Sequence, residues 1–221
     1  MPVFNPVSSS NSGGRSLYTI PDMPALSGFT LLDGTNSTAS VSENSGKSIT
    51  ITDTYPTYGR ICTVGLIKPV PSTSPYRVSI LCLSNIEARF YYGVAFGFSD
   101  GTKIEQVTKP GSLVWGYNTY NVASARNSFI ADLLPANALG GNPIWFGLRD
   151  DGTYVYFEIS VDGVNYTTIY KVAKSSGFLG ASGYTHTFFG LCCHNESINP
   201  PVPISASFLA YDENGLNRTI G

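Results

Sequence analysis

The 221-residue sequence predicts an all-β protein: a two-sheet antiparallel jelly-roll sandwich preceded by an extended N-terminal arm. Three observations lead there. The stretch 145–172, WFGLRDDGTYVYFEISVDGVNYTTIYKV, reads as three strands broken at Asp151-Gly152 and Asp162-Gly163. Within its middle strand Val155, Phe157, Ile159 and Val161 alternate with Tyr154, Tyr156, Glu158 and Ser160, so an apolar row lines one face and a polar-aromatic row the other. Asp-Gly at each break predicts type I′ hairpin turns, which need positive φ. The second observation is that short strand-like runs separated by Gly, Pro, Asp or Asn recur through the rest of the chain, and no 11-residue window holds an amphipathic helical period. The third is length: one core of this size can be buried in a single sandwich domain, here 25–221.

The elements follow in order. Residues 1–24, MPVFNPVSSSNSGGRSLYTIPDMP, place four prolines around a Ser/Gly tract with no period of two or of 3.6, so the segment cannot bury a face of its own. Phe4, Leu17, Tyr18 and Ile20 make it too apolar for a plain solvated tail and predict an arm that docks on a partner; a disordered leader is the competing reading. Strands are expected at 29–32, 48–52, 61–67, 76–83, 90–99, 102–108, 113–117, 144–149, 154–161, 166–172, 186–193 and 204–211. Residues 128–139 can form at most a short helical turn, because Pro135 interrupts them. In the strand around FYYGVAFGFSDG, Phe90, Tyr92, Val94, Phe96 and Phe98 share one face and Tyr91, Gly93, Ala95 and Gly97 the other. The large face is core. The small face admits a close neighbour, with the second sheet the expected one and a loop, another chain or a sugar ring as alternatives.

Composition excludes several function classes. Charged residues make up 13% of the chain and the net charge is −2, against roughly 25% charged in soluble proteins generally. No basic stripe exists to capture nucleic acid, and no apolar run is long enough to insert in a membrane. The sequence opens without a secretory leader pattern, which predicts folding in the cytosol or export without a cleaved leader. Cys62, Cys82, Cys192 and Cys193 are then expected as free, buried thiols. A metal site made with His186 and His194 is not expected, because these lie roughly 27 Å apart along an extended strand. Four Asn-x-Ser/Thr sequons read as chance in a hydroxyl-rich chain without a leader. No cofactor is expected.

The RDDG turn followed by FEISVDGVNY, together with FTLLDGTNSTASVSENSGKSITIT, YRVSILCLSNIEARFYYGVAFGFSDGTKIEQV and ISASFLAYDENG, resembles the concanavalin A-like (laminin G-like) jelly-roll domains of bacteriophage virion proteins. The resemblance covers nearly everything after residue 26. It implies a non-enzymatic virion component (decoration, head-fibre or tail protein) assembled in the host cytoplasm, whose arm attaches to other virion proteins and whose sandwich is displayed. It also implies a homo-oligomer, most often a trimer; low charge with many aromatic residues points to self-association as well. No site residue is shared across such domains, so none is carried over.

Glucanases of this fold set carboxylates at alternate positions of one strand; here Glu158, Ser160 and Asp162 have that parity, but the middle carboxylate is missing and Asp162 belongs to a turn. No nucleophile elbow, phosphate loop or metalloprotease motif occurs, so no catalytic residue is expected. For binding a sugar, with a host surface glycan as the candidate partner, the best stretch is LVWGYNTYN, where Trp115, Tyr117 and Tyr120 offer rings and Asn118 and Asn121 offer amides; the alternative is that Trp115 is core and the tyrosines line an edge or a subunit interface. Asp150, Asp151 and Asp162 are expected in turns rather than around calcium.

Overall fold

The computed structural model describes residues 25–32, 38–54, 62–84, 92–110, 115–130, 132–134, 143–193 and 203–213. These form strands β1 (Thr30–Leu32), β2 (Ala39–Asn44), β3 (Ser48–Asp53), β4 (Cys62–Pro69), β5 (Tyr76–Ser84), β6 (Tyr92–Ser99), β7 (Ile104–Pro110), β8 (Gly116–Val122), β9 (Ala125–Ile130), β10 (Ile144–Asp150), β11 (Tyr154–Ser160), β12 (Thr167–Ala173), β13 (His186–Cys193) and β14 (Ile204–Asp212), with one 3-10 turn at Gly180–Ser182. They build two seven-stranded antiparallel sheets, the first ordered β1-β4-β13-β6-β7-β8-β9 and the second β12-β11-β10-β5-β14-β3-β2. The fold is a jelly-roll sandwich. No helix among the described residues is long and apolar enough to cross a membrane.

All twelve expected strands are present in whole or part, and two more join them. Both are outermost strands: in Ala39–Asn44 only Ala39 and Val41 alternate inward onto the core, and Ala125–Ile130 is largely exposed on both faces. The helical turn allowed at 128–139 is corrected where it is described: 128–130 close β9. The arm, 1–24, with Phe4, Leu17, Tyr18 and Ile20, lies outside the described residues.

The core lies where parity puts it, with one correction: Val161, expected on the apolar row of the middle strand, lies beyond the end of β11 and is 71% exposed. Val94, Phe96 and Phe98 of β6 meet Phe146 of β10 and Val155, Phe157 and Ile159 of β11 in one apolar cluster between the sheets. Phe96 stacks on Phe146 at 4.4 Å between ring centroids, and Phe98 meets Phe157 edge-on at 5.9 Å. Each such ring contributes roughly 1.5–3 kcal/mol by leaving water. Glu105, also buried, points inward from β7 and accepts hydrogen bonds from the Tyr117 and Tyr184 hydroxyls. Cys62, Cys82 and Cys192 are buried free thiols, and burial pushes the Cys192 thiol up to about 11.

The meander turns differ from expectation. Gly152 and Gly163 have φ of 94° and 73°, but among described non-glycine residues only Asp132 has positive φ; a type I′ turn needs two consecutive positive values. Asp151 and Asp162 instead organise their loops with their side chains. Asp151 Oδ1 accepts the amides of Thr153 and Tyr154, and Asp162 Oδ1 those of Val164 and Asn165. These are Asx turns, open to residues that avoid left-handed backbone.

Candidate functional site

A β-sandwich offers a ligand its two outer faces and its edges. On the outer face of the first sheet, alternation turns out Thr63, Gly65 and Ile67 of β4, Phe188, Gly190 and Cys192 of β13, Gly93, Ala95 and Gly97 of β6, and Ile104 and Gln106 of β7. All of these are buried. The reason is curvature. In a flat sheet β4 and β8 would lie about 19 Å apart, four strand spacings, yet the Thr63 amide donates to the Ala123 carbonyl at the tip of the β8–β9 hairpin, 2.8 Å away. The sheet has curled until the hairpin tip meets the far strand.

A second apolar cluster fills the curl: Ile67, Ala95, Ile104, Tyr120, Ala123, Phe188 and Cys192, with the Tyr120 hydroxyl 3.0 Å from Cys192 Sγ. Beside it Thr63 donates to Gln106, and Gln106 and Asn118 both donate to Thr108. Glycine makes the curl possible. A Cβ on Gly97 would sit 2.1 Å from the Glu105 carbonyl oxygen, and one on Gly190 2.2 Å from that of Val64. The small face of β6 is thus packed by side chains and a hairpin of its own sheet, which corrects the expectation that the second sheet lies against it.

The predicted sugar patch falls inside this construction. Trp115 and Tyr120 are wholly buried, Tyr117 points into the core towards Glu105, and Asn118 belongs to the buried polar network. Of the five residues Asn121 is exposed. The three rings sit on two different faces and present no surface to a pyranose, because a stacking ring must be reachable from solvent. The alternative for Trp115, core, is what the structure shows.

The outer face of the second sheet is built differently. Glu158 of β11 is buried and accepts from Arg77 Nε of β5 at 2.8 Å and Arg149 Nε of β10 at 2.9 Å. Each guanidinium carries a tyrosine: Arg149 lies 3.5 Å from the Tyr156 ring centroid and Arg77 4.5 Å from that of Tyr166. Lys171 of β12 sits 5.1 Å from the Tyr154 ring. Register explains the row, since Lys171, Tyr156, Arg149 and Arg77 are successive partners across four strands. Tyr166 lies flat because Gly147 has no Cβ, which would stand 2.8 Å from its ring. The Tyr156 hydroxyl donates to Asp151 Oδ2 at 2.6 Å. That bond, with those from the Tyr154 and Thr153 amides, holds the Asp151 carboxyl at about 2.

The carboxylate row considered for glucanase chemistry is committed elsewhere. Glu158 is tied to two arginines, and the Ser160 hydroxyl donates to Asp162, which orders the turn. The tyrosine-cation row carries the better candidate surface. Its signal was present as the polar-aromatic parity of 154, 156 and 158, but Arg77 and Arg149 reach it through register alone.

No family model matches the chain, and no curated protein does. Solved structures share the fold. A functionally unknown protein from Saccharomyces cerevisiae aligns over 86% of this chain and 98% of its own, with TM-score 0.52 and 12% identity. A Bacteroides ovatus mixed linkage glucan glycoside hydrolase of family 16, in complex with product, aligns over 84% and 94% at TM-score 0.53 and 10% identity. Arcelin-5, a lectin-like defense protein from Phaseolus vulgaris, aligns over 87% and 94% at TM-score 0.50 and 7% identity. Hydrolases and lectin-like proteins alike carry this sandwich, so the likeness speaks for the fold and the side chains must speak for function.

Proposed function

We propose that the chain is a non-enzymatic structural component of a bacteriophage virion, a decoration, head-fibre or tail protein, attached through residues 1–24 and displaying the sandwich. The observation that supports it is the commitment of the would-be catalytic surfaces to structure: the curled face is filled by its own hairpin, and Glu158 and Asp162 serve an ion cluster and a turn. The virion setting rests on the sequence resemblance. Val122, Phe129 and Ile130, 42–47% exposed in the β8–β9 hairpin at the end of the first sheet, support self-association, with a trimer as the resemblance implies. Deleting residues 1–24 should leave a cooperatively melting domain that no longer incorporates into particles, as read by quantitative mass spectrometry of purified virions. Full incorporation of the truncated chain would move the attachment surface to the sandwich. A second reading, a lectin-like module that adheres to host glycan, is favoured by exposed Tyr154 and half-buried Tyr156 on β11, with half-buried Tyr166 just before β12.

A further inference from the structure

We propose that the outer face of β10–β12 is a carbohydrate platform, on which Tyr154, Tyr156 and Tyr166 stack against the pyranose rings of a glycan chain. The proposal rests on the lectin-like reading and deepens it by naming the surface, which is not the curled face. Tyr154 and Tyr156 are two residues apart on one strand, their ring centroids 6.3 Å from each other. Tyr166 lies against Gly147, the register partner of Glu158, one further step along the same strand. Tyr154 and Tyr156 therefore lie along β11 and the Tyr166 ring beside them over β10, the whole spanning roughly 13 Å along the strand direction, two side-chain repeats.

What sets this row apart from a scatter of surface tyrosines is the bracing beneath it. Arg149 is held down on the buried carboxylate of Glu158, and its guanidinium lies 3.5 Å from the centre of the Tyr156 ring, which is half-buried. Asp151 pins the hydroxyl end of the same ring. Arg77, held on the same carboxylate, lies 4.5 Å from the centre of the Tyr166 ring, whose hydroxyl end is buried. Tyr154 is 37% exposed beside Lys171. Rings fixed in place lose little side-chain entropy on binding, which is where preorganisation adds affinity.

The chemistry favours sugar over protein as the occupant. A protein interface core excludes water and is depleted of charge, and covering this face would desolvate Lys171 and Asp151 without supplying partners. A pyranose presents an apolar C–H face to the ring and keeps hydroxyls at its rim for those same charged groups. A flat, open row suits an extended chain better than a single enclosed sugar.

The test uses the full-length chain against immobilised cello-, laminari- and chito-oligosaccharides and oligouronates, followed by calorimetry on those retained. Saturable binding is expected, and the double variant Tyr154→Ala with Tyr156→Ala should lower affinity at least tenfold while its melting curve stays cooperative. Tyr156→Phe, which keeps the ring and loses only the Asp151 bond, should retain most of the affinity. Binding to none of the probes, or undiminished binding by the double variant, overturns the proposal. So does loss of particle incorporation by the double variant in the absence of any sugar binding, which would make the row a protein contact. Virion membership is read separately, from the composition of purified particles, and stands or falls without this result.

Discussion

The two sheets of this sandwich solve the problem of their outer faces in opposite ways. The first curls until glycines let backbone and side chains close over Phe188, Tyr120 and Cys192, and the face becomes a second small core. The second stays open, with Glu158 holding two arginines and the arginines holding two tyrosines. Steric room is the currency of one face and charge pairing that of the other. Among the described residues the sealed face buries Phe188 and Tyr120, whereas the open one leaves Tyr154 exposed and Tyr156 half-buried.

The comparison can be broken first at the sealed face. A valine at Gly190 would drive its Cβ against the Val64 carbonyl and Gly65 Cα, at 2.2 and 2.5 Å, and neither is a side chain that can swing aside. Gly190→Val should cost about 3 kcal/mol or more, read as the shift of a urea unfolding transition. Gly46→Ala is the control: its φ is 65° but nothing lies within 4 Å of the new Cβ, so about 1 kcal/mol of backbone strain is expected. Equal losses at the two positions would mean that the curl is not tightly packed.

The open face breaks at Glu158. Glu158→Ala leaves Arg77 and Arg149 without the carboxylate that orders them, a change that costs about 3 kcal/mol for buried pairs. The arginine side chains are 15% and 22% exposed and can turn partly to water, which keeps the loss at or below that figure and under that of Gly190→Val. Denaturant unfolding measures it, and tyrosine fluorescence should report Tyr156 and Tyr166 freed from their cations. A loss below about 0.5 kcal/mol, the range of ordinary surface substitutions, would show that the arginines hold their places unaided.

The smallest effect concerns acid. Asp151 in the folded chain titrates at about 2, below its ordinary 3.8, so its hydrogen bonds contribute stability that is fully present above pH 4 and lost as pH falls through about 2. Asp162 is depressed as well, by the amides of Asn165 and Val164. Melting temperature should therefore fall between pH 4 and 2, and Tyr156→Phe should flatten that slope. An unchanged slope in the variant would mean that the hydroxyl does not stabilise the charged carboxylate.

Much of the fold was legible before the structure because a sandwich core is a parity rule made solid: Val155, Phe157 and Ile159 had to share a face, and so had Val94, Phe96 and Phe98, and both sets lie between the sheets. Two outermost strands were not legible: ASVSEN turns only the small pair Ala39 and Val41 inward, and ARNSFI is largely exposed on both faces. The Asp-Gly breaks fall where the sequence puts them but with another geometry, since a carboxylate that caps its own loop is indistinguishable in sequence from one that tolerates positive φ.

For the candidate site the division is sharper. The sequence by itself determined which residues share each side of each strand, including the row of Tyr154, Tyr156 and Glu158, because alternation is local and needs no partner. Tertiary structure alone decided which outward rows meet water. The aromatic stretch around Trp115, Tyr117 and Tyr120 and the row on β11 have the same kind of composition, yet one is buried and the other open. The difference lies in a sheet that curls through four strand spacings and in a register that brings Arg77 and Arg149 to Glu158 from two other strands. Both are relations between segments distant in sequence, and no local pattern encodes them.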